Sequence, residues 1–263
     1  VRHHAHKMAE QLSKDDHDAL VDDNEQPFLD HIIELRSRIL RGVLTVVILF
    51  FPIYFFANDL YGFVAAPLMA HLPNDGTMIA TEVASPFLTP FKLAIFTAIF
   101  FGMPFLLHQI WAFISPGLYK HEKRFAIPLL LSSILLFYAG VAFAYYLVFP
   151  LVFQFLAGVT PEGVTMMTDI NRYLDFILTM FFAFGIAFEI PIATMLLAAT
   201  GIASASSMAN KRPYVIVGCF VVAMLVTPPD VISQLLLAIP TWILFEVGIF
   251  FARIAEKRQE AVM

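Results

Sequence analysis

Two acidic side chains lie among basic residues in separate parts of the sequence, and together they have the chemistry to bind a cation. Glu34 belongs to the segment QPFLDHIIELRSRILR, and Glu122 belongs to the segment WAFISPGLYKHEKRF. A pair of carboxylates suits guanidinium groups especially well, because each guanidinium can form two parallel hydrogen bonds with a carboxylate. The residues alone favour a simpler interpretation, in which both acids balance the charges of their basic neighbours, Arg36, Arg38, Lys123 and Arg124.

A third acid, Glu189, lies inside an apolar stretch, FGIAFEIPIA. Acids within membrane spans are costly to bury and point to function by default. Gly185 lies one helical turn earlier and leaves room for a neighbouring helix to approach. Three roles are open for Glu189: a structural hydrogen bond between helices, a polar docking point, or a group that handles protons. The sequence favours a functional role over a purely structural one.

The sequence lacks the motifs of the common enzyme classes. It contains no phosphate-binding loop, no GxSxG or HExxH pattern and no histidine or cysteine spacing typical of a metal site. His3, His4 and His6 form a cluster, but a solvated tail explains them better than a metal site does. We therefore expect no catalytic residues, no cofactor, no metal and no nucleic-acid ligand.

The elements that must position these acids are membrane helices. The chain has 263 residues, of which 59% are hydrophobic and only 14% charged, and its mean hydropathy is +0.78. A soluble domain with so few charges could not cover its surface, so the composition predicts an all-α integral membrane protein that crosses the bilayer several times. The length suits about six spans of roughly 20 residues each. The single cysteine, Cys219, excludes an internal disulfide framework.

Apolar runs predict where the spans lie. An amphipathic segment over 26–41 should lead into the first span, and a short surface helix over 60–72 should cap the outer side. The fifth span reaches only about 20 Å, short of a hydrocarbon core of roughly 30 Å, and Pro240 should interrupt the sixth. We expect a tail over 1–25, a membrane domain over 26–252 and a second tail over 253–263. The six spans are expected at about 39–56, 93–114, 127–149, 174–199, 214–226 and 231–251.

Basic residues predict the orientation of the chain. The segment up to Arg41 holds six Lys and Arg, the 115–126 loop three, the 200–213 loop two and the tail from Ala252 three. Only Lys92 and Arg172 lie in the other two loops. Since Lys and Arg concentrate in cytoplasmic loops, both termini are expected in the cytoplasm.

Six motifs in a fixed order make the sequence resemble one family. They are FLDHIIELRSRI, ATEVASPFLTPFKL, WAFISPGLYKHEKR, FGIAFEIP, KRPYVIVG and MLVTPPDVISQ. Over about 26–252 the chain resembles the TatC family, proteobacterial type, the polytopic subunit of the bacterial twin-arginine protein translocase. The resemblance implies a curved, glove-like wall of six helices, with short fifth and sixth helices, in the inner membrane.

The resemblance also implies a function without nucleotide. Similar proteins bind signal peptides that carry two consecutive arginines on folded cargo. They work in several copies with the single-span subunits TatA and TatB, and the proton-motive force drives export. An ion-coupled secondary transporter that uses Glu189 is the alternative, but the sequence has no convincing internal repeat and only one deep acid.

Individual residues match the functional positions of that family. On this basis Glu122 is expected to bind guanidinium, which replaces its interpretation as a balancing charge. Pro67, in the outer cap, matches a position tied to function, and Glu189 matches an acid on the concave side. Asp230 would also cap the sixth helix. The signal-peptide surface implied by the resemblance comprises Glu34, Arg36, Phe113, Pro116, Leu118, Tyr119, Lys120, Glu122 and Arg124, and the surface for the partner helix comprises Met224, Thr227, Asp230 and Gln234.

Overall fold

The computed structural model describes residues 32–70, 78–114, 123–161, 167–227 and 230–260, and helices dominate this part of the chain. Five helical segments are long and apolar enough to cross a membrane, and a sixth apolar helix is shorter. The predicted all-α membrane fold is confirmed. In order, the helices are α1 (Ile32–Tyr54), α2 (Ala57–Met69), α3 (Ser85–Ile114), α4 (Lys123–Phe143), a π-helical turn (Ala144–Val148), α5 (Phe149–Gly158), α6 (Ile170–Ala187), α7 (Ile190–Ala199), α8 (Ala205–Asn210), α9 (Arg212–Val226) and α10 (Val231–Glu260).

Two predictions that rest on prolines are wrong, one about the end of the third span and one about an interruption of the sixth. The third span does not end at 149, because the π-helical turn leads directly into α5, which continues to Gly158. Pro150 is accommodated there by the π-helical turn directly before α5, since local π adjustments can satisfy the backbone groups that a proline frees in a membrane helix. The sixth helix is neither short nor interrupted, since α10 runs for 30 residues through Pro240. The fifth helix, α9, is short as predicted, with 15 residues.

The main core surrounds α6. Large side chains from α5 and α6, among them Phe149, Leu174 and Phe184, are fully buried there. Helices α4 and α6 approach closely, because a Cβ atom added at Gly140 would lie 2.9 Å from the carbonyl carbon of Phe184. Small residues at such crossings let membrane helices pack tightly where no hydrophobic force acts between them.

Helix α10 makes a second close crossing, with α7. A Cβ atom at Gly248 would lie 3.0 Å from the Cα atom of Pro191 and would collide with the Thr194 side chain. The Thr194 hydroxyl donates to the carbonyl of Pro191 at 2.9 Å, so this polar group stays satisfied at the contact. The second half of the fourth span is thereby held against the last helix.

Polar contacts fasten the end of the bundle at which α2 lies, here called the cap end. The Asp169 carboxylate caps α6 by accepting from the N–H groups of Asn171 and Arg172 at 3.0 Å. Its other oxygen accepts from the hydroxyl and N–H of Thr81 at 2.6 and 2.9 Å. These bonds, that from the Thr81 hydroxyl foremost, hold the pKa of Asp169 well below its usual range. Lys92 on α3 adds an ion pair of 2.6 Å with Asp175 on α6.

Helix α1 contributes little to the core. Only 6% of the apolar stretch of α1 is buried within the protein. It packs along α3, where a Cβ atom at Gly42 would lie 2.9 Å from Leu106 and the rings of Phe50 and Phe91 have centroids 5.1 Å apart. Because α1 and α3 run in opposite directions, α1 begins at the end where α3 finishes. This end is here called the loop end.

Candidate functional site

Glu34 lies at the loop end and is bound by an arginine of its own helix. The Arg38 Nε and Nη2 atoms donate to the Glu34 Oε1 atom at 2.9 and 2.5 Å. Arg38 Nη1 also reaches the Oε1 atom of Gln109 on α3, at 3.4 Å. The side chains of Arg38 and Glu34 are 19% and 36% exposed, so this pair is partly withdrawn from solvent. An acid followed four residues later by a base is the favourable arrangement on a helix.

The remaining residues of the expected signal-peptide surface fall into two groups. Arg36 is exposed on α1. Phe113 is half-buried on α3, one turn beyond Gln109, which places it on the same helix face and at the same level as Glu34. The backbone of Arg124 belongs to the first turn of α4, whereas its side chain lies outside the described residues. Pro116, Leu118, Tyr119, Lys120 and Glu122 also lie outside the described residues.

Glu189 lies at a break in the fourth span. Helix α6 ends at Ala187, α7 begins at Ile190, and Pro191 occupies the first turn of α7. The Ser133 hydroxyl on α4 donates to the Glu189 Oε2 atom. The Oε1 atom is buried and has no hydrogen-bond partner among the described residues. One oxygen of this carboxylate therefore remains available to a further donor.

Ser133 is a site residue that sequence reasoning missed. It is 1% exposed and lies on α4, far from Glu189 along the chain. The signal was present, because two consecutive serines, Ser132 and Ser133, interrupt an apolar run. Gly185, which was expected to leave room for a neighbour, accepts the ring of Phe137 from the same helix as Ser133.

The expected partner-helix residues lie together at the cap ends of α9 and α10. Asp230 Oδ1 accepts from the Ser233 N–H at 2.7 Å, which confirms its capping role. Gln234 donates to the carbonyl of Phe220 at 3.2 Å, and Thr227 donates to the carbonyl of Ala223 at 2.8 Å. The Asp230 Oδ2 and Ser233 Oγ atoms are buried without a hydrogen-bond partner among the described residues. Met224 is 60% exposed beside them.

Pro67 lies inside α2 and is buried. The Tyr173 hydroxyl on α6 donates to the carbonyl of Val64, three residues earlier, at 2.8 Å. Helix α2 is thereby fixed to the main core at the cap end.

Glu246 on α10 pairs with an arginine of a neighbouring helix. It accepts two hydrogen bonds from Arg212 on α9, at 2.6 and 2.7 Å. Glu256 also makes a contact between helices, accepting from the Ala205 N–H of α8 at 2.7 Å. Both acids therefore hold α10 to its neighbours. Within the described ranges, no group of three or more His, Cys, Asp or Glu side chains is arranged to hold a metal.

Comparison with known proteins identifies close relatives. Residues 30–240 match a family model described as Sec-independent protein translocase protein (TatC). The protein of that name from Azotobacter chroococcum is 60% identical over 240 residues, an alignment that covers 91% of this chain and 94% of that protein. The protein of that name from Escherichia coli K12 is 54% identical over 231 residues, covering 88% of this chain and 90% of that protein. A crystal structure titled as the twin arginine translocase receptor TatC superposes with a TM-score of 0.78 at 36% identity, covering 86% of this chain and 99% of that one.

Proposed function

The chain belongs to the TatC family and is a membrane-spanning subunit of a bacterial twin-arginine protein translocase, and we propose that its loop end binds the arginine pair of signal peptides. Members of this family are components of a protein translocase and are not known enzymes. These relationships favour the translocase over the ion-coupled transporter. The proposal further places the loop end and both termini in the cytoplasm and the chain in the inner membrane.

One observation carries the proposal: the Glu34 carboxylate already accepts a guanidinium at the loop end. Two Arg38 nitrogens donate to one oxygen of Glu34, in a position that is only partly open to solvent. Glu34 is therefore placed and oriented for guanidinium binding, and Phe113 at the same level supplies an aromatic face for a cation or an apolar residue.

Glu122 is the second acid in this proposal. Together the two carboxylates would each receive one arginine of the pair, while Arg36, Pro116, Leu118, Tyr119, Lys120 and Arg124 complete the surface around the peptide backbone. Lysine would bind less well, because its ammonium group lacks the planar fork that matches a carboxylate.

Peptide binding by Glu122→Gln tests the proposal. The change keeps the shape of the side chain and removes the charge, so a charge-assisted hydrogen bond worth about 1.5–3 kcal/mol is lost, and affinity should fall about 10- to 150-fold. The measurement is fluorescence anisotropy of a labelled twin-arginine signal peptide with the full chain in lipid nanodiscs. Glu82→Gln, an exposed acid at the cap end, is the matched control. Equal affinities of the two variants would rule out the proposed pairing.

Photocrosslinking adds a test of position. A photoreactive residue at Phe113 should crosslink to a signal peptide with two arginines and lose the crosslink when lysines replace them. Crosslinks that ignore the replacement would make the loop end a general peptide surface.

We further propose that the cap ends of α9 and α10 dock the transmembrane helix of TatB or TatA, in complexes that hold several copies of this chain. Met224 is exposed, and the buried Asp230 Oδ2 and Ser233 Oγ atoms have no hydrogen-bond partner among the described residues; both observations support this role. A polar side chain on an incoming helix would satisfy these oxygens, which is valuable where water is scarce. Thr227 and Gln234 border the same surface. Pro67 would act by shaping the cap, and Glu189 would offer its Oε1 atom to a polar group of a partner or an inserted signal peptide.

A further inference from the structure

We propose that Arg38 is a built-in competitor for Glu34: it occupies the carboxylate in the empty receptor and is exchanged for an arginine of the signal peptide. This inference rests on the proposed function of Glu34. It concerns how the site is regulated, since a guanidinium of the chain itself holds the position that the ligand must take.

Arg38 binds the Glu34 carboxylate through the same groups that a ligand arginine would use. Its Nε and Nη2 atoms both donate to Glu34, at 2.9 and 2.5 Å. These are charge-assisted hydrogen bonds between a guanidinium and a carboxylate, which is the interaction proposed for the signal peptide. An incoming arginine therefore repeats bonds that Glu34 already makes.

Arg38 is held in place by a second helix. Its Nη1 atom reaches Gln109 on α3 at 3.4 Å, and Gln109 is itself buried, with 8% exposure. The Arg38 side chain is only 19% exposed. An ordinary surface arginine would lose more side-chain freedom on pairing, whereas Arg38 is already restrained between α1 and α3. The competitor is thus kept next to the carboxylate.

The local charge supports exchange over simple addition. With Arg38 bound, Glu34 has its charge balanced, and exposed Arg36 leaves this part of α1 positive. A cationic peptide gains little by approaching a balanced carboxylate beside the positive charge of an exposed arginine. It gains fully only when Arg38 releases Glu34, so the population with Arg38 released sets the apparent affinity.

Arg38→Gln tests the exchange, with Arg41→Gln as control. Arg41 is exposed on the same helix and forms no ion pair within the described part of the chain, so both variants lose one positive charge. A helix pair of this kind contributes about 0.3–1 kcal/mol, so freeing Glu34 should tighten binding of a twin-arginine peptide about three- to sixfold. The assay is peptide anisotropy with the full chain in nanodiscs. A weaker affinity for Arg38→Gln, or the same gain in both variants, would overturn the proposal.

Two further measurements separate this inference from the proposed function. The gain from Arg38→Gln should disappear when Glu34→Gln is also present, because no carboxylate is left to free. The preference for two arginines over two lysines should stay constant in Arg38→Gln, since a competitor weakens both ligands by one factor; a changed preference would make Arg38 part of the binding surface instead. If Glu34→Gln alone leaves peptide binding unchanged, the proposed role of Glu34 fails. If Glu34→Gln weakens binding and Arg38→Gln does not strengthen it, only the competitor role fails.

Discussion

The crossing of α4 and α6 makes Gly140→Ala a decisive substitution. A Cβ atom at position 140 would lie 2.9 Å from the carbonyl carbon of Phe184, closer still to its oxygen, and 3.0 Å from the ring of Phe188. The carbonyl is part of the α6 backbone, so it cannot rotate aside as a flexible side chain would. The two helices must separate for the methyl group to fit.

The size of the effect follows from that overlap. Ordinary van der Waals contact begins near 3.4 Å, so α4 and α6 must part by more than about 0.5 Å, and overpacking of this kind typically costs about 1–3 kcal/mol. The change from glycine to alanine in a helix returns about 0.5–1 kcal/mol through a less flexible unfolded chain. We expect a net loss of about 0.5–2 kcal/mol in the free energy of unfolding.

Cys219 supplies the assay. It is the single cysteine and is buried, with 9% exposure. A thiol-reactive dye that fluoresces on coupling should therefore label it as the protein unfolds during heating in mild detergent. Gly62→Ala is the matched control, since a Cβ atom there meets nothing within 4 Å. The midpoint for Gly140→Ala should fall below both wild type and control. Equal midpoints for the two alanine variants would refute the close approach of α4 and α6.

Three further substitutions probe the buried acid and the cap end. Glu189→Ala should leave signal-peptide affinity unchanged yet reduce cargo export in cells. Ser133→Ala should reduce export less, because it removes one hydrogen bond and keeps the carboxylate. Normal export by Glu189→Ala would show that this acid has a structural role only. Asp169→Asn should lower the unfolding midpoint at pH 7. The hydrogen bonds to the Asp169 carboxylate lower its pKa in the folded protein, so they stabilise the fold at any pH above the unfolded pKa of 3.8. This stabilisation declines as the pH falls below 3.8 toward the lower folded pKa. The difference from wild type should therefore shrink in acid, with exposed Asp59→Asn as control, and a difference independent of pH would exclude the carboxylate as its cause.

Much of the fold follows from the sequence, because long apolar runs in a chain with few charges fix both the class and the approximate positions of the spans. The errors came from proline. Pro150 and Pro240 were predicted to end or interrupt helices, but a π-helical turn carries the helix on into α5 at Pro150, and α10 continues through Pro240. In a membrane, neighbouring helices and small local adjustments can accommodate the backbone groups that proline frees.

Contacts between helices were less predictable than the helices themselves. Glu246 on α10, for example, is paired with Arg212 on α9, which lies 34 residues earlier in the chain. Sequence periodicity tells which residues share a helix face but not which helices become neighbours. For the same reason, the sequence did not reveal the hydrogen bond between Ser133 on α4 and Glu189. By contrast, the pairing of Glu34 with Arg38 was readable from four-residue spacing, whereas the link to Gln109 needed the packing of α1 on α3.

The sparse attachment of α1 has a consequence for how the chain is made. Its described contacts to the core run through α3, and only 6% of its apolar window is buried. While the ribosome is still synthesising α2, the first span has no intramolecular surface to dock on and must wait in lipid as a single helix. Its extensive apolar exterior suits that wait, since lipid alone is enough to stabilise it. Gln109 reaches Arg38 only when α3 inserts, so the contacts at the loop end of α1 form after α1 itself is anchored in the membrane.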